Sequence, residues 1–307
     1  MSLELLILGS NSAAFAHRRH HTAQIFKLQD QHFLIDCGEG TQLLMKRHKV
    51  KLSRIDHIFI SHLHGDHYFG LIGLLSTMHL FGRKKELLLV GPPGLKEILQ
   101  LQLRHSETSL NFHIQFIEFT PGESELIMDH PKFTVMTLPM DHRVPCSGYL
   151  FREKPKKRRI NRKILPDVDM TNLDIIRLKD GEDIKNADGS IKYENKLITL
   201  DPNPSYSYAY FSDTRLRTEL VETIRGVDLL YHEATFANDM KERAIQTYHT
   251  TAEQAAQFAK DAEVGKLILG HFSARYKELD PIISEAKEVF KNSELAIEGA
   301  KFVVDGK

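Results

Sequence analysis

The pattern of apolar and polar residues predicts a chain of short strands and helices. Short apolar runs are typical of buried strands, and longer amphipathic runs are typical of helices. The predicted strands lie at 3–8, 23–28, 32–36, 55–60, 86–90, 112–119, 126–128, 132–138, 206–211, 227–231, 266–269, 295–297 and 302–304, and the helices at 41–48, 69–80, 95–104, 215–225, 252–262 and 282–290. Such a chain of 307 residues could form two small domains or one large α/β domain.

A loop between a predicted strand and a predicted helix is rich in potential metal ligands. His62, His64, Asp66 and His67 follow the pattern H-x-H-x-D-H. Imidazole nitrogen combined with carboxylate oxygen suits zinc, manganese or iron. If the strand geometry persists, His62 and His64 share one face, while Asp66 and His67 begin the helix and can bind a second ion. Gly65 is expected to let the backbone turn, and the alternative is a solvated histidine-rich loop.

Three further candidate ligands stand at the ends of predicted strands, where a sheet holds side chains rigidly. His142, Asp213 and His271 each follow such a strand. A carboxylate can offer one oxygen to each of two ions, so Asp213 is predicted to bridge them. One ion would then be bound by His62, His64, His142 and Asp213, and the second by Asp66, His67, His271 and the same Asp213.

Composition limits the classes of protein that the chain can represent. The 41 basic residues balance the 41 acidic residues, which excludes a globally basic nucleic-acid binder. The two cysteines, Cys37 and Cys146, argue against a disulfide scaffold and fit a reducing cytosol. No signal peptide is evident and no apolar run is long enough to span a bilayer, so a cytoplasmic location without a membrane partner is expected.

One segment is locally basic. Eight of the twelve residues at 152–163 are lysine or arginine, among them Lys156, Lys157, Arg158 and Arg159. A run of charge is usually a solvated face. This run begins a segment at 152–200 that interrupts two core strands bearing candidate ligands, which places it beside the predicted metal site. We therefore expect the segment to bind RNA through its phosphates.

Several motifs together carry a resemblance to a known family. The H-x-H-x-D-H loop resembles that of the metallo-β-lactamase superfamily. The stretches DCGEGTQ at 36–42, HEAT at 232–235 and LGHFSARY at 269–276 resemble the ribonuclease Z family over nearly the whole chain. The resemblance implies a metallo-β-lactamase-like four-layer αβ/βα sandwich, formed as a single domain by 1–307, with an inserted projecting arm at 152–200 that grips tRNA.

The resemblance also implies an activity and roles for individual residues. The expected enzyme is a phosphodiester hydrolase with two zinc ions that cuts precursor tRNA at its 3′ side, leaving a 3′-hydroxyl on the tRNA and a 5′-phosphate on the trailer. Asp66 would accept the proton of the attacking water, and His249, oriented by Glu233, would protonate the leaving oxygen. Asp36 would brace the metal loop, and the resemblance further implies a homodimer. The expected substrate-binding residues are Lys156, Lys157, Arg158, Arg159 and Arg275.

Other interpretations stay open. The chain could be another dinuclear-metal phosphodiesterase or hydrolase of the same superfamily, or an RNA-binding relative whose site has decayed. The presence of all seven candidate ligands argues against decay, and the basic segment with the HEAT and HFSARY stretches favours the first interpretation. Arg275 could instead be an ordinary loop residue, and the basic loop at 17–21 could approach phosphate or be solvated.

Overall fold

A computed structural model describes residues 3–163 and 170–305. The strands are β1 Leu3–Gly9, β2 Ala23–Leu28, β3 Gln31–Ile35, β4 Ile55–Phe59, β5 Leu87–Gly91, β6 Ile114–Glu118, β7 Leu126–His130, β8 Phe133–Pro139, β9 Ser147–Glu153, β10 Arg159–Ile160, β11 Ile184–Lys185, β12 Ile191–Tyr193, β13 Thr199–Leu200, β14 Ser207–Phe211, β15 Leu229–Glu233, β16 Lys266–Gly270, β17 Ser293–Leu295 and β18 Lys301–Val304. The helices are α1 Thr41–Arg47, α2 Gly65–Tyr68, α3 Leu71–Leu80, α4 Leu95–His105, α5 Asn172–Lys179, α6 Asn195–Ile198, α7 Val221–Ile224, α8 Lys241–Thr247, α9 Ala252–Asp261 and α10 Asp280–Val289.

Two large sheets form the centre of the body. Over the described residues, one seven-stranded sheet has the order β18-β1-β2-β3-β4-β5-β6 and the other has the order β17-β16-β15-β14-β9-β8-β7. Strands β3 to β6 run parallel, as do β14 to β17. Parallel strands place their carboxyl ends at one edge of the sheet, which is where ligands commonly bind in α/β proteins.

The sheets pack face to face through an aromatic core. Phe26, Phe33 and Phe59 from the first sheet meet Phe151 and Tyr208 from the second, and all five side chains are fully buried. The Phe26 ring lies 4.6 Å from that of Tyr208, centroid to centroid. Large aromatic rings fill the space between two sheets efficiently, because each buries a large apolar area.

Helices cover the two outer faces. Apolar residues of α1, α3 and α4 pack on the first sheet, and those of α7, α9 and α10 pack on the second. Thr251 caps helix α9, because its side chain and that of Gln254 form a capping box. The result is the helix–sheet–sheet–helix sandwich that the resemblance implied.

The helix predicted at 69–80 is α3, Leu71–Leu80, and a separate short helix precedes it. Helix α2 ends before Phe69, and α3 begins after Gly70. The backbone N–H of Gly70 donates to the Cys37 carbonyl at 2.9 Å, and a Cβ atom on Gly70 would lie 2.1 Å from the carbonyl oxygen of Gly38. This close approach between two backbones explains the break.

The helix predicted at 215–225 is shorter in the structure than predicted. Only Val221–Ile224 is α-helical there, after a 3₁₀ turn at Thr218–Leu220. The backbone N–H of Arg215 instead donates to the Asp141 carbonyl at 3.1 Å, which holds this residue in a loop. Helix α8 was not predicted.

Residues Glu153–Ser205 form a compact unit of their own, called the arm unit below. It contains β10 to β13 with α5 and α6, and its small core includes Leu178, Ile184 and Ile198. The unit extends beyond the predicted end at residue 200. Residues 164–169 of the predicted arm lie outside the described part of the chain. Within the described residues, we find no helix that is long and apolar enough to cross a membrane.

Candidate metal centre and active site

The carboxyl ends of strands from both sheets bring the seven predicted ligands together. His62 follows β4 in the first sheet, while His142, Asp213 and His271 follow β8, β14 and β16 in the second. Asp66 lies in the short helix α2. Because each side chain projects from the rigid end of a strand or the first turn of a helix, the ligand atoms converge in one small volume.

The first cluster consists of three histidines and one aspartate. The Nδ1 atom of His64 lies 3.1 Å from Nε2 of His62 and 3.1 Å from Nε2 of His142. Oδ2 of Asp213 lies 3.7 Å from Nε2 of His62 and 3.8 Å from Nε2 of His142. All four ligand atoms fit within 4.8 Å of one another, as a shared metal ion requires.

The second cluster lies on the other side of Asp213. Its Oδ1 atom is 3.3 Å from Nε2 of His67 and 3.1 Å from Nε2 of His271. Oδ2 of Asp66 lies 3.5 Å and 3.4 Å from the same two nitrogens. The two oxygens of Asp213 therefore face two different pairs of histidines, which is the arrangement that a bridging carboxylate needs.

The carboxylate and imidazole groups of the two clusters are better suited to binding metal ions than to hydrogen bonding with one another. Oδ1 of Asp213 is buried and, among the described residues, has no hydrogen-bond partner despite its two histidine neighbours. Burial lowers the pKa of His142 to about 4, although Asp213 opposes the shift, and it also lowers the pKa of His62 well below its usual range. Neutral imidazoles beside buried carboxylates suit cations, because such carboxylates are costly to bury without positive charge.

Asp36 orients His67 from outside the cluster. Its Oδ2 atom lies 2.7 Å from Nδ1 of His67 and accepts hydrogen bonds from Ser61 Oγ at 2.8 Å and from Tyr210 Oη at 2.5 Å. A carboxylate can only accept here, so Nδ1 of His67 carries a proton and Nε2 is the nitrogen that faces the cluster. Hydrogen bonds of this kind tune metal ligands. Asp36 thus makes the contacts expected of a brace for the metal loop.

Thr235 orients His271 in the same way. Its hydroxyl donates to Oε2 of Glu233 at 2.6 Å and lies 2.8 Å from Nδ1 of His271, from which it accepts. The lone pair on Nε2 of His271 then faces the cluster. Thr235 belongs to the HEAT stretch, but nothing in the sequence indicates this contact.

Gly65 has a different role from the one predicted. Its φ angle is not positive, so the backbone turn does not require glycine. A Cβ atom at this position would lie 2.3 Å from the ring of Phe69. The glycine therefore leaves room for the Phe69 ring, which is exposed at the site.

Glu233 and His249 form a pair beside the second cluster. Oε1 of Glu233 lies 2.8 Å from Nδ1 of His249 and also accepts from the backbone N–H of Thr214 at 2.9 Å. Burial disfavours a charged His249 ring, but the adjacent Glu233 carboxylate outweighs this effect and raises the pKa of His249 to about 9. An imidazolium at neutral pH can donate a proton.

A cavity of 620 Å³ opens onto these groups. Arg275, which was predicted to contact substrate, lines the cavity. Within the basic loop at 17–21, His21 also lines it. Arg19 and His20 of that loop instead bond to Asn11 and Glu298. Further lining residues that no motif indicated are Arg143, Arg243, Phe69 and Phe236.

The predicted basic residues of the arm unit lie on its own surface. Lys156 pairs with Glu153, Lys157 with Asp180 and Arg158 with Asp201, at 2.6, 2.6 and 2.8 Å, and Arg159 donates to the Asp201 carbonyl at 2.9 Å. Asp180 and Asp201 are exposed, and ion pairs at a surface contribute little stability, so phosphate groups can compete for Lys157, Arg158 and Arg159. Lys156 differs, because its partner Glu153 is a buried carboxylate.

Comparison with known proteins identifies the family. A ribonuclease Z of Cytophaga hutchinsonii is 48% identical over 304 residues, which cover 99% of this chain and 97% of that protein. A ribonuclease Z of Bacteroides fragilis is 44% identical over 295 residues, covering 96% and 97%. This chain belongs to the ribonuclease Z family. The predicted family and the predicted class of enzyme are confirmed.

Solved structures and a family model add to the comparison. Human tRNase Z, short form, has a TM-score of 0.73 and 25% identity, covering 97% of this chain and 98% of that chain. The metallo-β-lactamase fold protein YhfI of Bacillus subtilis has a TM-score of 0.69 and 19% identity, covering 99% and 100%, and supports the fold. A family model described as anti-Pycsar protein Apyc1 matches residues 3–154. The predicted metallo-β-lactamase fold is confirmed.

Proposed function

We propose that this member of the ribonuclease Z family is a zinc-dependent endoribonuclease that removes the 3′ trailer of precursor tRNA. The tRNA would keep a 3′-hydroxyl and the trailer would carry a 5′-phosphate. Membership of the family supports the substrate class. The observation that carries the chemistry is the division of the two oxygens of Asp213 between two groups of histidines.

The candidate ligands would bind two zinc ions. One site would use His62, His64, His142 and Asp213, and the other Asp66, His67, His271 and Asp213. When bound, such a pair of ions supplies Lewis acidity toward phosphate oxygens and lowers the pKa of water. The chain itself supplies the fixed geometry, since Asp36, Thr235 and the strand ends hold the ligands in place.

Asp66 is the proposed acceptor of the proton of the attacking water. Burial opposes ionisation of its carboxyl, but His67 and His271 outweigh burial and hold the pKa of Asp66 well below its usual range. The group is therefore a carboxylate at neutral pH, as both a metal ligand and an acceptor must be.

His249 is the proposed general acid. The proton on Nδ1 is held by Glu233, so Nε2 is the atom that would protonate the departing ribose 3′-oxygen. Without this proton the oxygen would leave as an alkoxide, which is a poor leaving group. General acids near such oxygens typically contribute about 10²–10⁴-fold in rate.

The arm unit is the proposed site for the tRNA body. Lys156, Lys157, Arg158 and Arg159 supply positive charge there, and Arg275 would contact RNA nearer the cut. Contacts to phosphate position a substrate without performing chemistry. A homodimer, in which the arm of one chain serves the site of the other, is part of the same proposal.

An assay on two substrates tests the function. The metal-loaded protein is incubated with a precursor tRNA and, separately, with a small chromogenic phosphodiester, and the RNA ends are identified by mass. We expect a single cut at the 3′ side of the acceptor stem, with a 3′-hydroxyl on the tRNA. An Asp213→Ala variant controls for contaminating nucleases.

The alternative is another dinuclear-metal phosphodiesterase or hydrolase of the superfamily, which the same two clusters of ligands would serve. Turnover of the small diester with no cut in precursor tRNA would support that alternative. The same result would refute the ribonuclease proposal.

A further inference from the structure

The residue before His249 has an unusual backbone conformation. Tyr248 ends helix α8 with φ 63° and ψ 47°, in the left-handed region. Helices often end in this conformation, but glycine or asparagine usually occupies it, because a Cβ atom is unfavourable there. A tyrosine at such a position is expected only where its side chain or its peptide group makes compensating contacts.

The ring of Tyr248 makes one such contact. The guanidinium carbon of Arg215 lies 3.6 Å from the centre of the ring, close enough for a cation–π interaction. Arg215 is itself fixed, because its Nε donates to the Ile245 carbonyl at 2.8 Å and its backbone N–H donates to the Asp141 carbonyl at 3.1 Å. The stack therefore ties the end of α8 to the loops that carry His142 and Asp213.

The carbonyl of Tyr248 makes the second contact. It lies 3.3 Å from Nδ1 of His142. A carbonyl can only accept, so Nδ1 is the protonated nitrogen and the lone pair on Nε2 faces His64 and Asp213. The left-handed conformation of Tyr248 also sets the direction of the backbone at the next residue, His249, whose ring contacts Glu233.

We propose that Tyr248 and Arg215 are positioning residues, whose stack holds one peptide so that it orients both His142 and His249. The inference rests on the proposed function for its catalytic part. Loss of the stack should weaken metal binding through His142 and slow leaving-group protonation through His249. Neither residue is proposed to touch RNA, so the KM for precursor tRNA should change little.

The variants separate the ring, the hydroxyl and the backbone. Tyr248→Leu and Arg215→Lys remove the stack, Tyr248→Gly relaxes the backbone while also removing the ring, and Tyr248→Phe removes only the hydroxyl. Arg225→Lys is the matched control, because Arg225 makes surface ion pairs with Glu222 and Glu263. Arg215→Lys keeps the proposal testable if Tyr248→Leu does not fold.

Two measurements are made on each variant. Zinc affinity is measured by competition with a chelating dye. The kcat and KM are measured on RNA with oxygen or sulfur as the bridging 3′ atom, since a thiolate leaves without needing a proton. For Tyr248→Leu, Tyr248→Gly and Arg215→Lys we expect about 10-fold or greater loss of zinc affinity. We also expect a loss of kcat that is larger on the substrate with bridging oxygen than on the substrate with bridging sulfur. Tyr248→Phe and Arg225→Lys should match the wild type.

Several results would overturn the proposal. A Tyr248→Gly variant that matches the wild type would show that the stack is unnecessary. A Tyr248→Phe variant as impaired as Tyr248→Leu would assign the effect to the hydroxyl, and a change confined to KM would make Tyr248 an RNA contact. If the wild type cuts no precursor tRNA, the proposed function fails, whereas the zinc competition still tests whether the stack orients His142.

Discussion

Asp36 and His67 are joined by a buried contact of 2.7 Å between Oδ2 and Nδ1. Both side chains are fully buried, and the contact fixes which nitrogen of His67 faces the candidate metal centre. Oδ1 of Asp36 also accepts from the backbone N–H of Ser61 at 2.7 Å, at the start of the metal loop. One carboxylate therefore holds the beginning of the loop and one of its ligands.

Asp36→Asn should weaken metal binding without removing any ligand. An amide NH₂ group cannot accept the hydrogen bonds that Ser61, His67 and Tyr210 direct at the carboxylate. We expect about 10–100-fold lower zinc affinity in chelator competition. Asp30→Asn, at an exposed aspartate, is the control. Equal affinities in the two variants would contradict the bracing role.

Metal stoichiometry tests the bridging role of Asp213. Elemental analysis should find about two zinc ions per chain in the wild type. Asp213→Ala should lower the occupancy of both sites, because each oxygen faces a different cluster, whereas His142→Ala should mainly weaken one site. A fully active wild-type protein with a single ion per chain would rule out the dinuclear site.

The structure brings the seven predicted ligands together, and the sequence could indicate this because their positions are local. Each stands at the end of a strand or in a tight motif, and sheet geometry brings strand ends together. The cavity residues Arg143, Arg243 and Phe236 were missed because they come from two loops and helix α8, which only the tertiary fold brings together. No spacing in the chain marks them.

The errors in secondary structure have similar causes. Leu216, Leu220 and Ile224 have the spacing of a helix, but the hydrogen bond from Arg215 to Asp141 prevents one from forming at that point. Helix α8 was missed because Ala244 is its one fully buried residue, so it shows no apolar period. At 215–225 a tertiary contact overrides the apolar pattern of the sequence. In α8 the exposure of nearly all residues means that no apolar pattern exists.

Removal of the arm unit should separate binding from chemistry. Arg152 and Ser207 are paired across β9 and β14, so a short turn can replace residues 153–205 and remove only the last residue of β9 from the two strands. We expect a large rise in the KM for precursor tRNA and little change in hydrolysis of a small phosphodiester. Charge reversal of Lys156, Lys157, Arg158 and Arg159 should act in the same direction. Unchanged cleavage of tRNA after the deletion would show that the arm does not bind substrate.

His57 should make stability depend on pH. This partly buried side chain lies in β4 with its ring centroid 5.0 Å from that of Phe33, and its Nδ1 has no hydrogen-bond partner in the described structure. Burial lowers the pKa of His57 to about 4, against the opposing charge of Asp56. The unfolded chain therefore binds a proton more readily than the folded chain between about pH 6.5 and 4, and stability falls as pH decreases through that window.

His57→Phe should remove this contribution. The free energy of unfolding, measured by denaturant titration across the window, should fall less steeply with decreasing pH in the variant, by at most about 1.4 kcal/mol per pH unit. At about pH 7.5, where the histidine is neutral in both states, this difference in slope should vanish. Parallel curves over the whole range would mean that His57 is protonated equally in both states.

The leaving group tests the acid role of His249. Its contact with Glu233, together with a pKa raised to about 9, provides a charged donor at neutral pH. His249→Ala should slow cleavage of the oxygen substrate by about 10²–10⁴-fold. With sulfur at the bridging 3′ position the same variant should be close to the wild type, because a thiolate departs without a proton.

Asp66→Ala is the informative comparison. Its defect lies in metal binding and in activation of the attacking water, so it should slow cleavage of both substrates. Sulfur also alters metal affinity, so wild-type rates on the two substrates set the reference. Glu233→Gln should resemble His249→Ala in a weaker form, because the amide can still contact the ring but does not hold its positive charge. If His249→Ala is impaired equally on oxygen and sulfur, His249 positions the substrate and the proton on the leaving oxygen comes from another donor.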